Sequence, residues 1–281
     1  MRIASYSRDG KAGLAVQSGN DWLDLGAKLP ADLSVLLQDP HWQDAVQKAS
    51  AGAPKIDLAS VSLLPPFRSS QKILCVGLNY VDHVAESPYK QPDYPTYFPR
   101  FSSSLIGHEQ PLIKPRVSDE LDYEGELVAV IGSTARNVSI DDALNHIAGY
   151  TIFNEGSIRD YQFKSPQWTI GKNFDGTGAC GPWFVTADEL SPGAKNLHIA
   201  TRVNGVTEQS ANTNDMFFDV ATLVATASEA LTLLPGDMLV TGTPAGVGFG
   251  KKPPKYLVPG DVCEVEVEGI GVLRNTVAAE S

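Results

Sequence analysis

The sequence predicts a mixed α+β protein in which β-strands dominate and a small domain precedes the main one. Short apolar segments bounded by Gly and Pro recur through residues 72–281, where helical periodicity is rare. That region has neither the βαβ alternation of a doubly wound sheet nor a GxGxxG motif or P-loop. The earlier residues hold short elements of their own and end at Pro65-Pro66. We therefore predict an accessory domain at 1–66 and a larger domain at 70–281.

The accessory domain is predicted to begin with a β-hairpin. Residues 3–6 and 14–16 are apolar and flank a turn at residues 8–10. Residues 33–49 then have helical spacing, which Pro40 interrupts. This stretch has no cluster of acidic residues, histidines or glycines that indicates chemistry, so the functional site is expected in the larger domain.

The larger domain is predicted to contain several strands, hairpins and short helices. Asn204-Gly205 is a strong hairpin signal because this dipeptide supplies the positive φ angles that a tight turn requires. Ser139 suits the N-cap of a helix, since its hydroxyl can accept an N–H of the first turn. The predicted elements are strands at 73–77, 124–131 and 148–153, helices after Ser139 and at 159–163, a hairpin at 203–206, an amphipathic helix at 220–234 and a hairpin at 262–273.

Composition excludes several classes of partner. The 281 residues include 22 Lys and Arg against 33 Asp and Glu, a net charge of −11, so general affinity for nucleic acid or an anionic membrane surface is not expected. No apolar run approaches the roughly 20 residues of a membrane-spanning helix. Cys75, Cys180 and Cys263 are odd in number and too far apart for a disulfide framework or a CxxC zinc site. With an N-terminus that lacks the apolar core of a signal peptide, they indicate a cytoplasmic location.

One pair of acidic residues differs from the others in its surroundings. Glu124 and Glu126 are two apart in a predicted strand, so their side chains share a face with Val128. Both faces of this strand are apolar further along, which indicates burial on both sides. Two carboxylates at the end of a buried strand repel each other and lose hydration. A divalent metal ion with oxygen ligands is the simplest compensation.

A solvent-exposed position is the alternative for this pair, and the chain contains an example of that pattern. Glu264, Glu266 and Glu268 also alternate, but the residues between them form a wholly apolar face. We expect these three to face solvent. On the pattern alone, both interpretations of Glu124 and Glu126 stay open.

Four other residues have side chains that suit catalysis or metal binding. Glu155 follows an apolar strand and could be a third oxygen ligand, although an acid at a helix N-terminus is the alternative. His83 and Glu86 would be neighbours on a helix and could form a general base for water, or a surface pair. Lys172 lies between aromatic residues in a glycine-rich loop and could stabilise an enolate, or be an exposed turn lysine.

Two further segments suit contact with an anionic ligand. Arg100 follows a Pro-rich segment and could hold a carboxylate through two of its guanidinium nitrogens. Residues 241–248 form a loop of small residues around Thr243, which would let a ligand approach the backbone. A plain turn between strands is the alternative for that loop.

Taken together, these residues resemble the fumarylacetoacetate hydrolase family over about residues 70–275, in its acylpyruvase and 2-hydroxyhepta-2,4-diene-1,7-dioate isomerase-like branch. The combination is specific, although each segment alone is weak. The segments that carry the resemblance, in the family's order, are Gly77-Leu78-Asn79-Tyr80 with His83 and Glu86, Tyr123-Glu124-Gly125-Glu126-Leu127, Arg159-Asp160 with Gln162, Gly171-Lys172, Gly242-Thr243-Pro244, and Pro259-Gly260-Asp261-Val262 leading to Glu268-Gly269-Ile270-Gly271.

The resemblance implies a fold, a metal and an assembly. The family fold is a mixed β-sandwich-like roll, and its members are commonly homodimers. The metal would be Mg²⁺ or Mn²⁺, with Ca²⁺ as a substitute in crystals. By position, its ligands would be Glu124, Glu126 and Glu155. The substrate would be a small 2-oxo acid.

The reaction that the resemblance implies is hydrolysis of a C–C bond in a 2,4-dioxo acid such as an acylpyruvate. His83 and Glu86 would activate a water, and Lys172 would stabilise the metal-bound enolate. The residues implied to position the substrate are Arg100, Arg159, Gln162 and Thr243.

Other reactions run through the same kind of site in related members. They are decarboxylation of oxaloacetate-like acids, enol–keto tautomerisation, double-bond isomerisation and lyase cleavage, and they differ from hydrolysis in whether water attacks. A non-catalytic metal- or acid-binding protein is the alternative from another class.

The sequence departs from the family's pattern at two positions. Glu155 stands where the family usually has Asp, and the extra methylene moves the carboxylate by roughly one C–C bond. Arg100-Phe101 stands where many members have Lys-Pro. We expect Arg100 to bind an anion with a forked geometry.

Overall fold

The computed structural model describes residues 1–82 and 90–281. In this part of the chain the α-helices are Leu33–Leu36, Trp42–Ser50, Ile140–Ala143, Arg159–Gln162 and Val220–Ala230. The 3-10 helices are Leu58–Ser60, Ser102–Ser104, Leu144–His146, Ala187–Glu189, Pro192–Ala194, Thr213–Asp215 and Gly248–Gly250. The strands are β1 (Arg2–Arg8), β2 (Lys11–Ser18), β3 (Asp21–Gly26), β4 (Lys55–Ile56), β5 (Ser62–Leu64), β6 (Ile73–Gly77), β7 (Thr96–Pro99), β8 (Leu105–Ile106), β9 (Leu112–Lys114), β10 (Leu121–Asp122), β11 (Gly125–Ile131), β12 (Ile147–Glu155), β13 (Ser157–Ile158), β14 (Gly178–Thr186), β15 (His198–Val203), β16 (Val206–Asn212), β17 (Met238–Val240), β18 (Val262–Val267) and β19 (Gly271–Ala279).

Three sheets organise these strands. The largest has 12 strands in the order β4-β3-β2-β1-β14-β12-β11-β17-β6-β7, with β5 beside β1 and β8 beside β14. A five-stranded sheet has the order β16-β15-β18-β19-β9, and β10 pairs with β13. The pairing is mixed, since β17 runs parallel to β6 but antiparallel to β11. The predicted β-rich α+β fold is confirmed.

The strand β11 lies between two apolar layers, and each face belongs to a different layer. Leu127 and Ala129 pack in a core that also contains Val265 of the five-stranded sheet and Leu223 of the long helix. Val128, on the other face, packs in a core shared with the N-terminal elements. The prediction that this strand is buried on both sides is confirmed, because all seven of its residues are buried.

The N-terminal residues are continuous with the large sheet. Arg2 of β1 pairs with Val185 of β14, and Ile3 pairs with Phe184. Phe184 also lies edge-on to Phe67, with ring centroids 5.4 Å apart. The strands of the first 66 residues therefore extend the large sheet beyond β14 and share its core, and their division from the rest as a separate domain stays a prediction.

Local signals placed the turns and helix starts correctly. The first hairpin turns at residues 9–10, and the second turns at Asn204-Gly205, where φ is 52° and 77°. Ser139 caps its helix by accepting the N–H of Asp142. The turn chemistry of these residues is sufficient to fix their conformation locally.

The long helix is shorter than the sequence predicts. Asp219 caps its start, but it ends at Ala230, because Leu231 is already extended with φ −119° and ψ 144°. Leu233 then forms a bridge with Ala135, so tertiary pairing replaces the last predicted turn. No helix in the described ranges is long and apolar enough to span a bilayer.

The shared core predicts that the N-terminal elements and the sheet unfold together. Phe184→Ala removes a fully buried ring at this junction. We expect it to lower the free energy of unfolding by about 3–5 kcal/mol, with one cooperative transition in urea followed by fluorescence and circular dichroism. Phe101→Ala is the matched control, since Phe101 is 50% exposed, and should change stability by less than about 0.5 kcal/mol. Two separate transitions would contradict the shared core.

Candidate active site

Three glutamates converge at the ends of two neighbouring strands. Glu126 lies in β11 opposite Phe153 of β12, in antiparallel register. Two residues further along the register, the N–H of Glu155 donates to the carbonyl of Glu124 at 2.8 Å. One ligand atom from each of the three carboxylates lies within 4.8 Å of the others, and all three residues are buried. The pairing of β11 with β12 therefore builds the predicted oxygen cluster.

Lys172 supplies positive charge at the centre of this cluster. Its Nζ donates to Glu124 Oε1 and to Glu155 Oε2, both at 2.8 Å. Burial alone would lower the pKa of Lys172, but the carboxylates of Glu124 and Glu155 outweigh burial and raise it. The lysine is 2% exposed, so the alternative of an exposed turn lysine is wrong.

Glu126 is held by the backbone on the opposite side. The N–H of Gly242 donates to Glu126 Oε2 at 2.6 Å. Gly242 has φ +99°, and a Cβ there would lie 2.9 Å from the carbonyl oxygen of Val76, so only glycine fits this turn. Burial, then the charges of Glu155 and Glu124, raise the pKa of Glu126 well above its usual range. The site thus holds more negative charge than its direct cations compensate.

The donor set fits a hard divalent cation. Glu124, Glu126 and Glu155 offer carboxylate oxygens, which Mg²⁺ and Mn²⁺ prefer. Among the described residues, Glu155 Oε1 is buried and accepts no hydrogen bond. A buried anionic oxygen without a donor is costly, and a cation at the cluster would satisfy it. The glutamate at position 155 is therefore placed with the cluster, despite its extra methylene.

Asp122, which is not among the residues predicted from the sequence, organises the next layer of charge. Asp122 is fully buried, and its Oδ2 accepts from Arg159 Nε at 2.8 Å. Its two oxygens also accept the N–H groups of Gly248 and Phe249 at 2.8 and 2.9 Å. Arg159 Nη1 in turn lies 2.8 Å from Glu124 Oε1. The signal was present, because Asp122 is one step earlier in the same i, i+2 alternation as the two glutamates.

Arg100 lies behind Glu155 and outside the described pocket lining, and its predicted role in binding substrate stays a prediction. Its side chain is fully buried and donates to Ser104, to the carbonyl of Gly156 and to Thr177, at 3.1, 3.2 and 2.7 Å. Its Nη1 is 3.7 Å from Glu155 Oε1. Because these partners occupy the guanidinium, Arg100 supports Glu155 electrostatically and does not line the pocket. The guanidinium nitrogens of Arg100 donate to oxygens of the protein in this structure.

The other predicted residues that the structure describes, Gln162 and Thr243, line the pocket at the cluster. Gln162 Oε1 accepts from Arg159 Nη1 at 2.9 Å, and Thr243 Oγ1 donates to the carbonyl of Gly125 at 3.0 Å. His83 and Glu86 lie outside the described residues. The pocket has an empty volume of about 500 Å³, which includes space open to solvent, and is lined by Val76, Gly77, Leu78, Phe98, Glu124, Glu155, Arg159, Gln162, Phe163, Trp168, Lys172, Thr243, Val247 and Phe249.

The cluster predicts metal binding that depends on Glu126. Glu126→Gln removes an anionic ligand with little change in volume, and we expect the affinity for Mn²⁺ to fall by at least about tenfold in calorimetric titration. Glu266→Gln is the matched control, because Glu266 belongs to the alternating triplet and its side chain is 43% exposed. Equal Mn²⁺ affinity in the two variants would show that Glu126 is not a ligand.

The raised pKa of Glu126 predicts a pH dependence of stability in metal-free protein. The carboxyl of Glu126 binds its proton more tightly in the folded state than in the unfolded state, where its pKa is 4.5. The stabilisation is therefore complete below pH 4.5 and is lost as pH rises through the folded pKa. In EDTA, the stability of the wild type relative to Glu126→Gln should fall as pH increases, measured by urea unfolding. If the free energies of unfolding of the two proteins changed with pH in the same way, the pKa of Glu126 would not be raised by folding.

The sequence and fold match one known family. The family model for the fumarylacetoacetate (FAA) hydrolase C-terminal domain matches residues 72–278. A mitochondrial oxaloacetate tautomerase of Xenopus laevis is 39% identical over 288 residues, covering 99% of this chain and 90% of that protein. An uncharacterised protein of Archaeoglobus fulgidus is 45% identical over 222 residues, covering 79% of this chain and 84% of the other.

Solved structures agree with this assignment. The fumarylacetoacetate hydrolase of Exiguobacterium antarcticum aligns with a TM-score of 0.89 and 36% identity over 100% of both chains. The maleylpyruvate hydrolase of Sphingobium sp. SYK-6, solved with manganese(II) and pyruvate, aligns with a TM-score of 0.84 and 28% identity over 100% of both chains. The chain is an enzyme of the fumarylacetoacetate hydrolase family.

Proposed function

We propose that this enzyme interconverts the enol and keto forms of a small 2-oxo acid, with a divalent metal ion as cofactor. The observation that carries the proposal is the ammonium of Lys172, held 2.8 Å from both Glu124 and Glu155 at the floor of the pocket. The relative from Xenopus laevis is named an oxaloacetate tautomerase, which supports this reaction class.

The groups at the cluster have different roles in the proposed enolisation. A divalent cation on Glu124, Glu126 and Glu155 would supply a Lewis acid that polarises the 2-oxo group. In the keto-to-enol direction, carbon 3 loses a proton to a general base, and oxygen 2 gains one from solvent water. The ammonium of Lys172, which donates to Glu124 and Glu155 at 2.8 Å, would also donate a hydrogen bond to oxygen 2 as negative charge develops there.

Three pocket residues suit orientation of the substrate carboxylate. Arg159 is fixed by Asp122 at 2.8 Å, which leaves little side-chain freedom to lose on binding. Gln162 accepts from Arg159 Nη1 at 2.9 Å, and Thr243 belongs to the same pocket lining. His83 and Glu86 remain the candidates for proton transfer at carbon, on their spacing in the sequence alone.

Hydrolysis of an acylpyruvate is the second candidate reaction. The His83 and Glu86 spacing favours it because that pair suits activation of water. The Sphingobium maleylpyruvate hydrolase, of the same fold, supports it further. Tautomerisation needs no attacking water. The geometry of the described residues therefore explains a larger part of tautomerisation than of hydrolysis.

We also propose Mg²⁺ or Mn²⁺ as the physiological metal, on the oxygen-only donor set. A homodimer and a cytoplasmic location complete the proposal. The cytoplasmic location rests on the sequence; the names of the Xenopus laevis and Rattus norvegicus relatives place those two proteins in mitochondria.

Lys172→Met tests the proposed reaction. Loss of the enol absorbance of oxaloacetate, and of phenylpyruvate as a 2-oxo acid with an uncharged tail, would be followed with Mg²⁺, with Mn²⁺ and with EDTA. We expect metal-dependent turnover in the wild type and a kcat lower by about 100-fold or more in the variant, as for loss of one donor to a developing oxyanion. Lys55→Met is the matched control, because the Lys55 side chain is 71% exposed.

The same samples separate the alternatives. Faster pyruvate release from an acylpyruvate than enol loss would favour the hydrolase, and CO₂ release from oxaloacetate would favour a decarboxylase. Tight Mn²⁺ binding without any turnover would indicate a non-catalytic binding protein. Turnover that resists EDTA, or wild-type turnover in Lys172→Met, would reject the proposal.

A further inference from the structure

Aromatic side chains form much of the pocket wall above the carboxylates. Phe163 and Phe249 lie with ring centroids 5.0 Å apart, and Phe98 and Trp168 with centroids 5.5 Å apart. All four line the pocket, together with Val247. Phe163 is 40% exposed, so part of this apolar surface is open to a ligand.

The cations of the pocket already have partners at its floor. Lys172 lies 2.8 Å from Glu124 and from Glu155. Arg159 lies 2.8 Å from Asp122 and from Glu124. Within the described lining these are the two basic residues. Both also lie close to the rings, with Arg159 Cζ 5.8 Å from the centroid of Phe249 and Lys172 Nζ 5.3 Å from that of Phe98. When both serve the carboxylate and 2-oxo group of a substrate head, no further Lys or Arg of the described lining remains for a second carboxylate at the tail.

The basic residues nearest to the aromatic wall in sequence are turned elsewhere. Lys164 follows Phe163, but its Nζ lies 3.2 Å from the ring centroid of Tyr161. Lys251 follows Phe249 by two residues and is paired with Glu208. The segment 83–89 contains neither Lys nor Arg. A charged tail would therefore lose hydration against aromatic rings without a compensating partner.

We propose that the pocket selects 2-oxo acids with an uncharged, apolar or aromatic tail, and that Phe163 and Phe249 determine this specificity. The inference rests on the proposed function, because it assumes that the 2-oxo acid head lies over the three carboxylates. The head is recognised by charge at the floor, and the tail gains affinity by burying apolar surface against the rings.

Two non-reacting ligands with the same oxamate head test the inference. N-benzyloxamate carries an aromatic tail, and N-oxalylglycine carries a carboxylate tail. On Mn²⁺-loaded protein, calorimetric titration should give a dissociation constant lower by about tenfold or more for N-benzyloxamate. Equal affinities, tighter binding of N-oxalylglycine, or failure of both ligands to bind would each overturn the inference.

Variants of the aromatic pair assign the effect to residues. Phe163→Ala and Phe249→Ala should each reduce the preference for N-benzyloxamate, and Phe163→Leu should retain part of it because the leucine keeps apolar contact. Phe163→Arg should improve binding of N-oxalylglycine by supplying the missing cation. Phe101→Ala, outside the lining, should leave the preference unchanged. If both alanine variants kept the wild-type preference for N-benzyloxamate over N-oxalylglycine, Phe163 and Phe249 would not determine the specificity.

The binding assay separates this inference from the reaction. Selective binding of N-benzyloxamate without turnover of any 2-oxo acid would reject the proposed function and leave the inference standing. Turnover of oxaloacetate without any tail preference would support the proposed function and reject the inference.

Discussion

Burial of three carboxylates at the ends of two paired strands is the constraint on which the rest of the site depends. Glu124 and Glu155 lie across the β11–β12 pair, and Glu126 follows on the same face as Glu124. Like charges at this separation in an apolar interior are unfavourable unless cations or donors compensate them. Lys172 bridges two of the carboxylates, and the Gly242 N–H binds the third.

A second layer of charge fixes this arrangement. Asp122 holds Arg159 against Glu124, and Arg100 lies behind Glu155. These outer residues restrict the rotation of the inner side chains. The entropic cost of ordering those side chains when a ligand binds is therefore lower. Because Lys172 contacts two of the three clustered carboxylates, a cation bound at the cluster would share oxygen ligands with its ammonium. Lys172 and the cluster therefore belong to one charge network.

The pocket lining combines charged and apolar groups. Lys172 and Arg159 lie among the carboxylates, and the rings of Phe163 and Phe249 line the same pocket. The two parts are connected, because the Phe249 N–H donates to Asp122 at 2.9 Å and the Phe249 ring centroid lies 5.8 Å from Arg159 Cζ. A change of the Phe163 or Phe249 side chain would therefore alter the lining beside the charged groups without replacing any of the clustered carboxylates.

The sequence by itself determined the local features and supplied the candidate residues of the floor. Asn204-Gly205 and Ser139 set their turn and cap through backbone preferences within a few residues. The alternation of Glu124 and Glu126 in an apolar strand was compatible with both a buried and a solvent-exposed pair. Only the tertiary structure decided which distant residues joined that pair. Arg100 lies behind Glu155 and not in the pocket, and Asp122 organises Arg159. Such choices depend on strand register and on packing between segments far apart in the chain, which no local periodicity encodes.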